Sequence, residues 1–257
     1  MYQSRVISDY CILKDYKEFK KLVLIKNFCN PCFERKKSKL PRGMNNENKL
    51  ENSLSRAKNK VFEYAVCNDF KYFITLTIDG SKFPRDDIGG FVKVFSKWLS
   101  NYQRKAGKIN YLFIPERHHD KINWHLHGLI SDVPLSDLCL FKECDPVPKH
   151  LIENGYFNWL PYFKKFGFCS LSVIKNKMAC SKYITKYISK GISDGMGITE
   201  MNKQLYYCSK GLETAKTIKK GTLVAPFGFE SFENKYVKIK IIENNSANIK
   251  FYIKNII

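Results

Sequence analysis

The sequence predicts an α+β fold in which an antiparallel central sheet is flanked by helices, on three observations. Stretches with apolar residues at three- and four-residue spacing, the period of a helix, are long enough for substantial helices. Between them lie short β-branched and aromatic runs bounded by turn residues. Two of these runs are separated by only a few charged residues, so they pair as a hairpin and make the sheet antiparallel. The 257 residues are 44% hydrophobic and 14% aromatic, which supports a real core and excludes general disorder. Lysine and arginine number 44 against 24 aspartate and glutamate, a formal net charge of +20. A folded surface this basic calls for a polyanionic partner.

Taken in order, residues 1–46 read as a basic N-terminal arm. Cys29, Pro31 and Cys32 lead there into Arg35, Lys36, Lys37, Lys39 and Arg42. Residues 47–212 read as the main domain. Leu50, Leu54, Ala57, Val61 and Ala65 recur at helical spacing from Glu47 to before Lys71. Tyr72 to Ile78 is a strand followed by the turn signal Asp79, Gly80. Ile88 to Tyr102 is a second helix, with Phe91, Val94, Phe95, Trp98, Leu99 and Tyr102 in register. Asn110 to Glu116 and Asn123 to Ser131 are the hairpin strands; 132–167 is loop with short helices. Phe168 to Ile174 is a strand, and Asn176 to Lys190 a helix stopped by Gly191. Tyr206 to Cys208 is a short strand. Residues 213–257 are expected as a β-strand extension packed on the domain, with strands at Thr222 to Ala225, Lys235 to Ile242 and Ile249 to Ile256, the last two joined around Asn244 and Asn245.

No apolar stretch approaches the length of a membrane span, and Met1 to Asp9 is polar where a secretory signal is apolar. The nine cysteines are odd in number and scattered, which reads as reduced buried thiols in a cytoplasmic protein. Cys29 and Cys32 lack a second ligand pair at zinc-ribbon spacing, so no metal role is assigned to them.

The chemistry concentrates in two places. On the strand from Asn123 to Ser131, alternation places His125 and His127 side by side on one face, with Trp124 and Leu126 on the other. Glu116 ends the preceding strand. It joins the imidazoles when it lies opposite His125 or His127, and faces away when opposite Leu126. Two imidazoles and a carboxylate leave coordination positions open, as a catalytic metal site does, and with a phosphate oxygen as further ligand they suit Mg²⁺ or Mn²⁺.

The second place is the helix reading KNKMACSKYITKYISK from Lys175. Tyr183 and Tyr187, four apart, share one face; Ile184 and Ile188 form an apolar anchoring stripe; Lys182, Lys186 and Lys190 form a third. A tyrosine hydroxyl, with an ordinary pKa near 10, needs nearby positive charge and an activated electrophile to attack at neutral pH. A divalent ion and Lys186 or Lys190 provide these, so that either tyrosine can displace the 3′ oxygen of a phosphodiester. The product is a 5′-phosphotyrosine and a free 3′ hydroxyl. One phosphodiester replaces another, so the step needs no ATP, and the second tyrosine permits a second transfer.

These residues carry a resemblance. His125-Leu126-His127-Gly128 resembles the His-hydrophobic-His motif of the HUH endonucleases, and YITKYISK from Tyr183 to Lys190 resembles the Tyr-x-x-x-Tyr-x-x-Lys motif of the two-tyrosine rolling-circle replication initiators of small single-stranded DNA phages. FITLTI, Phe73 to Ile78, is similar to the first motif of that superfamily. The three motifs keep the family's order and span a little under half of the chain. The resemblance implies a ferredoxin-like or RNA-recognition-like HUH fold. It also implies sequence-specific nicking and rejoining of single-stranded DNA at a replication origin, in the cytoplasm of a bacterial host, for a phage or plasmid. Glu116, His125 and His127 would hold the ion.

No G-x-x-x-x-G-K-[ST] occurs, so strand separation falls to a host helicase and synthesis to a host polymerase. Tyr207-Cys208-Ser209-Lys210 repeats the Tyr-x-x-Lys spacing outside the helix and without a paired tyrosine, and is set aside. Two other readings stand beside this one: a non-catalytic single-stranded nucleic-acid-binding module with an RNA-recognition-like sheet, and a related relaxase. The relaxase is disfavoured because its tyrosine usually precedes the histidines.

Overall fold

The alternation of buried and half-buried residues along Trp124–Ile130 already gives the layout of the main unit: one strand, two covered faces. The computed structural model describes residues 6–7, 10–26, 28–29, 47–120, 122–193, 204–228, 230–244 and 247–257. The basic run from Arg35 to Arg42 and Cys32 lie outside the described residues. The chain divides into two units, residues 45–213 and residues 1–44 with 214–257. Among the described residues no helix is long and apolar enough to cross a membrane.

The larger unit runs α1 (Glu47–Cys67), β1 (Tyr72–Thr77), α2 (Ile88–Ala106), β2 (Tyr111–Arg117), β3 (Trp124–Ile130), β4 (Leu138–Leu140), α3 (Lys149–Glu153), β5 (Phe157–Trp159), α4 (Leu160–Lys165), β6 (Cys169–Val173), α5 (Lys177–Ser193) and β7 (Tyr207–Cys208). Its sheet is antiparallel throughout, in the order β7-β2-β3-β1-β6-β5-β4. The fold is α+β, as predicted. Segment 132–167 holds short helices but also two short strands, β4 and β5, that extend the sheet.

Each sheet face has its own core. Ile74, Leu76, Phe113, Leu126 and Ile130 meet Ile88, Phe91, Phe95 and Leu99 of α2, with Tyr162 of α4. The opposite face presents Leu112, Ile114 and Leu129 to Leu54, Val61 and Ala65 of α1 and to Ile184 and Ile188 of α5. The last two are fully buried, which is why α5 lies on this face. The Asn176 side chain accepts the Ala179 N–H at 2.9 Å and starts α5. The helix does not stop at Gly191 but continues to Ser193, because packing through Ile184 and Ile188 outweighs the modest helix penalty of one glycine.

Gly128 marks the tightest approach within the sheet: a Cβ there would lie 2.3 Å from Phe113 Cδ1 and 2.5 Å from the Leu112 carbonyl oxygen. The Phe113 ring occupies the space that a side chain on β3 would need. Gly128→Ala is expected to cost about 1–3 kcal/mol of stability through overpacking, read as a lowered urea midpoint.

The smaller unit corrects the expected boundaries. Tyr10–Asp15 and Phe19–Ile25 are strands rather than part of an arm, and they form a sheet with C-terminal segments in the order Lys216–Thr222, Tyr10–Asp15, Phe19–Ile25, Val237–Glu243, Phe232–Glu233. Cys11, Leu13, Leu22 and Leu24 alternate inward to meet Ile242, Tyr252 and Ile256. Two further expectations fail here. The strand predicted at Thr222 to Ala225 lies earlier, at Lys216–Thr222, with one bridge from Leu223 to Ile256. Ile249 to Ile256 is not a strand joined to its neighbour but a helix, Ala247–Asn255. Its core contacts, Ile249, Tyr252, Ile253 and Ile256, follow helical spacing, and burial of that stripe prevails over β-propensity.

Seven cysteines lie among the described residues and all are free thiols; Cys11, Cys67 and Cys169 are buried, whereas Cys139 and Cys144 are exposed.

Candidate active site on the α5 face of the sheet

The loop joining β2 to β3 decides the register. Asp120 accepts the N–H groups of Ile122 at 2.9 Å and Asn123 at 2.8 Å, an Asx-type turn that holds its carboxyl well below the usual carboxylate range. The strands then pair with Glu116 opposite His125, Ile114 opposite His127 and Arg117 opposite Trp124. This is one of the two registers that bring the carboxylate to the imidazoles. Glu116 Oε2 lies 2.6 Å from His127 Nε2, diagonally across the pair, and both side chains are 15% exposed.

On the other side of β3, β1 places Thr77 opposite His125 and Thr75 opposite His127. Thr77 Oγ1 is 3.2 Å from His125 Nδ1, and Thr75 Oγ1 is 3.1 Å from His127 Nδ1. Each imidazole is therefore held by its Nδ1 edge and directs Nε2 toward the Glu116 side of the face. A threonine hydroxyl both donates and accepts, so it matches either imidazole tautomer. When Nδ1–H donates to threonine, Nε2 carries a free lone pair, which is the ligand form. Sequence reasoning did not single out these threonines. Their alternation in FITLTI put them on one face, but their partners depend on the β1–β3 register.

His125 Nε2 is buried with no hydrogen-bond partner. Burial, then the nearby His118, His127 and Arg85, lowers the His125 pKa to about 4, against a smaller opposing pull from Glu116. The imidazole is neutral at pH 7. Because an unfolded histidine titrates near 6.5, the unfolded state binds more protons between the two values and stability falls as pH drops through that window. Allowing for solvent screening, the expected loss is about 1–2 kcal/mol by pH 4, measured in EDTA by urea unfolding, and absent from His125→Gln.

Among the described residues no three His, Cys, Asp or Glu side chains stand together in ready metal-ligand geometry. Glu116 instead contacts His127. The donor set still suits a hard or borderline divalent ion: a carboxylate, two imidazoles held by threonine, and one orphaned buried nitrogen.

The tyrosine helix docks against this edge. The Tyr187 ring stacks on His127, with centroids 4.2 Å apart and planes 15° from parallel. Phe73 of β1 lies beneath, 5.6 Å from Tyr183 and 6.3 Å from Tyr187. Tyr187 donates its hydroxyl proton to the Tyr183 oxygen at 2.8 Å. Burial first, then the Tyr183 bond and the Glu116 charge, pushes the Tyr187 hydroxyl far above its ordinary range. Tyr183 is 48% exposed, with the Lys186 ammonium 6.0 Å from its ring centroid. The side chain of Lys190 lies outside the described residues. Tyr207 pairs opposite Phe113, which places it on the far side of the sheet from the histidines.

Residues 71–192 match a family model described as a replication-associated protein of the ORF2 type. The span begins just before β1 and ends within α5, so it contains every residue of the site and covers a little under half of the chain. The match supports a rolling-circle replication initiator family for this segment. No curated protein and no solved structure matches the chain significantly.

Proposed function

We propose that the segment from β1 to α5 is a metal-dependent endonuclease and strand transferase that nicks and rejoins single-stranded DNA at a replication origin and so starts rolling-circle replication. The observation that carries this reading is the Tyr187–His127 stack, because it sets the tyrosine pair directly against the candidate ligand cluster. Glu116, His125 and His127 hold Mg²⁺ or Mn²⁺, which when bound polarises the scissile phosphodiester. Nicking without ATP leaves strand opening to a host helicase and synthesis to a host polymerase, in the cytoplasm of a bacterial host.

The tyrosines divide the work. A hydroxyl that receives a hydrogen bond is stabilised as its anion, whereas the donor is not. Tyr183 receives the bond and Tyr187 donates it, so Tyr183 is the first nucleophile. Its oxygen forms the bond to phosphorus, the bond from phosphorus to the 3′ oxygen breaks, and that oxygen leaves to become the 3′ hydroxyl. Lys186, and Lys190 one turn on, balance the charge that develops on the phosphate. Tyr187 is held back until the first adduct forms and then serves the second transfer, which rejoins the strand.

A denaturing gel of the protein with labelled single-stranded fragments of its own replicon tests this. The expected result is a protein-linked band with Mn²⁺ or Mg²⁺ and none with EDTA. Binding of all fragments without cleavage, under any metal, would favour the non-catalytic binding module.

A further inference from the structure

Beside His125, on the edge of the sheet away from the tyrosines, a cleft of about 570 Å³ opens between the end of β1 and the α4–β6 connection. That volume lies in the range of small-ligand sites, roughly 300–1,000 Å³. Its lining includes Thr77, Lys82, Arg85, Phe163, Lys164 and Phe168.

The backbone frame of this cleft is fixed. Thr77 N–H donates to the Phe168 carbonyl at 2.8 Å, Asp79 N–H to the Phe166 carbonyl at 2.8 Å, and the Tyr162 hydroxyl to the Thr77 carbonyl at 3.2 Å. Gly167, at φ +134°, lets the two segments close up; a Cβ there would lie 2.7 Å from Asp79 N. Two aromatic surfaces face this frame. Phe168 is backed by Phe141, with ring centroids 5.7 Å apart, whereas Phe163 is 44% exposed.

The charge in the cleft is uneven. Lys82 is engaged by Asp79 at 3.3 Å and donates to the Lys164 carbonyl. Arg85 is differently placed: its Nε is buried and has no hydrogen-bond partner. A desolvated guanidinium N–H without an acceptor is costly, and a phosphate oxygen is the acceptor it fits best. Thr77 joins the cleft to the site, since its hydroxyl holds His125.

We propose that this cleft is a subsite for one nucleotide of the DNA single strand next to the scissile phosphate, the base lying against Phe163 and Phe168 and its phosphate on Arg85 and Lys164. The assignment rests on the nicking reading for the word scissile, but the base-and-phosphate pocket stands on the cleft itself. Stacking of this kind is indifferent to base identity, so the subsite holds the strand in place whatever the origin sequence.

The test is fluorescence anisotropy of a labelled oligothymidylate about a dozen nucleotides long, in EDTA, with the full chain. Phe163→Ala is expected to bind about tenfold more weakly, and Phe163→Trp to bind like wild type, because an indole restores the stacking surface. Arg85→Gln is expected to take about one unit from the slope of log affinity against log salt. Phe163→Ala binding within about twofold of wild type would overturn the subsite. The adduct gel, run in parallel, separates the two readings. Phe163-dependent binding without any adduct keeps the subsite and removes the nicking; an adduct with unchanged Phe163→Ala affinity does the reverse.

Discussion

Tyr183→Phe is expected to lower formation of the first protein–DNA adduct by at least about a thousandfold, the scale on which removal of a nucleophile acts. Tyr187→Phe is expected to form that adduct within about tenfold of wild type and to lose the second transfer, so that nicked strands accumulate without rejoining. The asymmetry follows from the direction of one hydrogen bond, from Tyr187 to Tyr183, and from the burial that raises the Tyr187 hydroxyl. Both are read from one gel, using an oligonucleotide for nicking and a second with a free 3′ hydroxyl for rejoining. Loss of the first adduct in Tyr187→Phe alone would reverse the assigned order, and an adduct that survives in the double variant would remove the tyrosine mechanism.

His127→Ala is expected to reduce adduct formation by more than about a hundredfold at any metal concentration, since it removes both a ligand candidate and the surface against which Tyr187 stacks. Thr77→Val gives the finer result. It keeps the shape and removes the hydroxyl on His125 Nδ1, so the Mn²⁺ concentration needed for half-maximal adduct rises by about 10–100-fold while the rate at saturating metal stays near wild type. A Thr77→Val enzyme with unchanged metal dependence would mean that the threonine only packs, and equal activity of His127→Ala with and without EDTA-treated buffer would deny the ion a role.

Much of the larger unit is legible from local pattern because local pattern is what builds it. The helices at Glu47–Cys67 and Ile88–Ala106 and the strands at Tyr72–Thr77, Tyr111–Arg117 and Trp124–Ile130 differ from the expected spans by a few residues at the ends. Ile184 and Ile188 were read as the anchor of the tyrosine helix and are fully buried. The terminal segments were misread for a related reason. The alternation Cys11, Leu13 and Leu22, Leu24 is short, and its sheet is completed by strands more than two hundred residues away in sequence, which no local window contains. The helix Ala247–Asn255 did carry a local signal in Ile249, Tyr252, Ile253 and Ile256, but the β-branched content of the run pointed the other way.

The sequence by itself determined which side chains share a face: His125 with His127, Tyr183 with Tyr187, and Thr75 with Thr77, because periods of 2 and 3.6 are properties of a single strand or helix. Only the tertiary structure decided what those faces meet. Glu116 stands opposite His125 rather than Leu126 because the Asp120 turn sets the hairpin register. Thr75 and Thr77 reach the imidazoles because β1 pairs with β3 in one register, and Tyr187 lies on His127 because Ile184 and Ile188 seat α5 on that face. Register and docking are relations between segments distant in the chain, settled by burial on both sides at once, and no single segment encodes them alone.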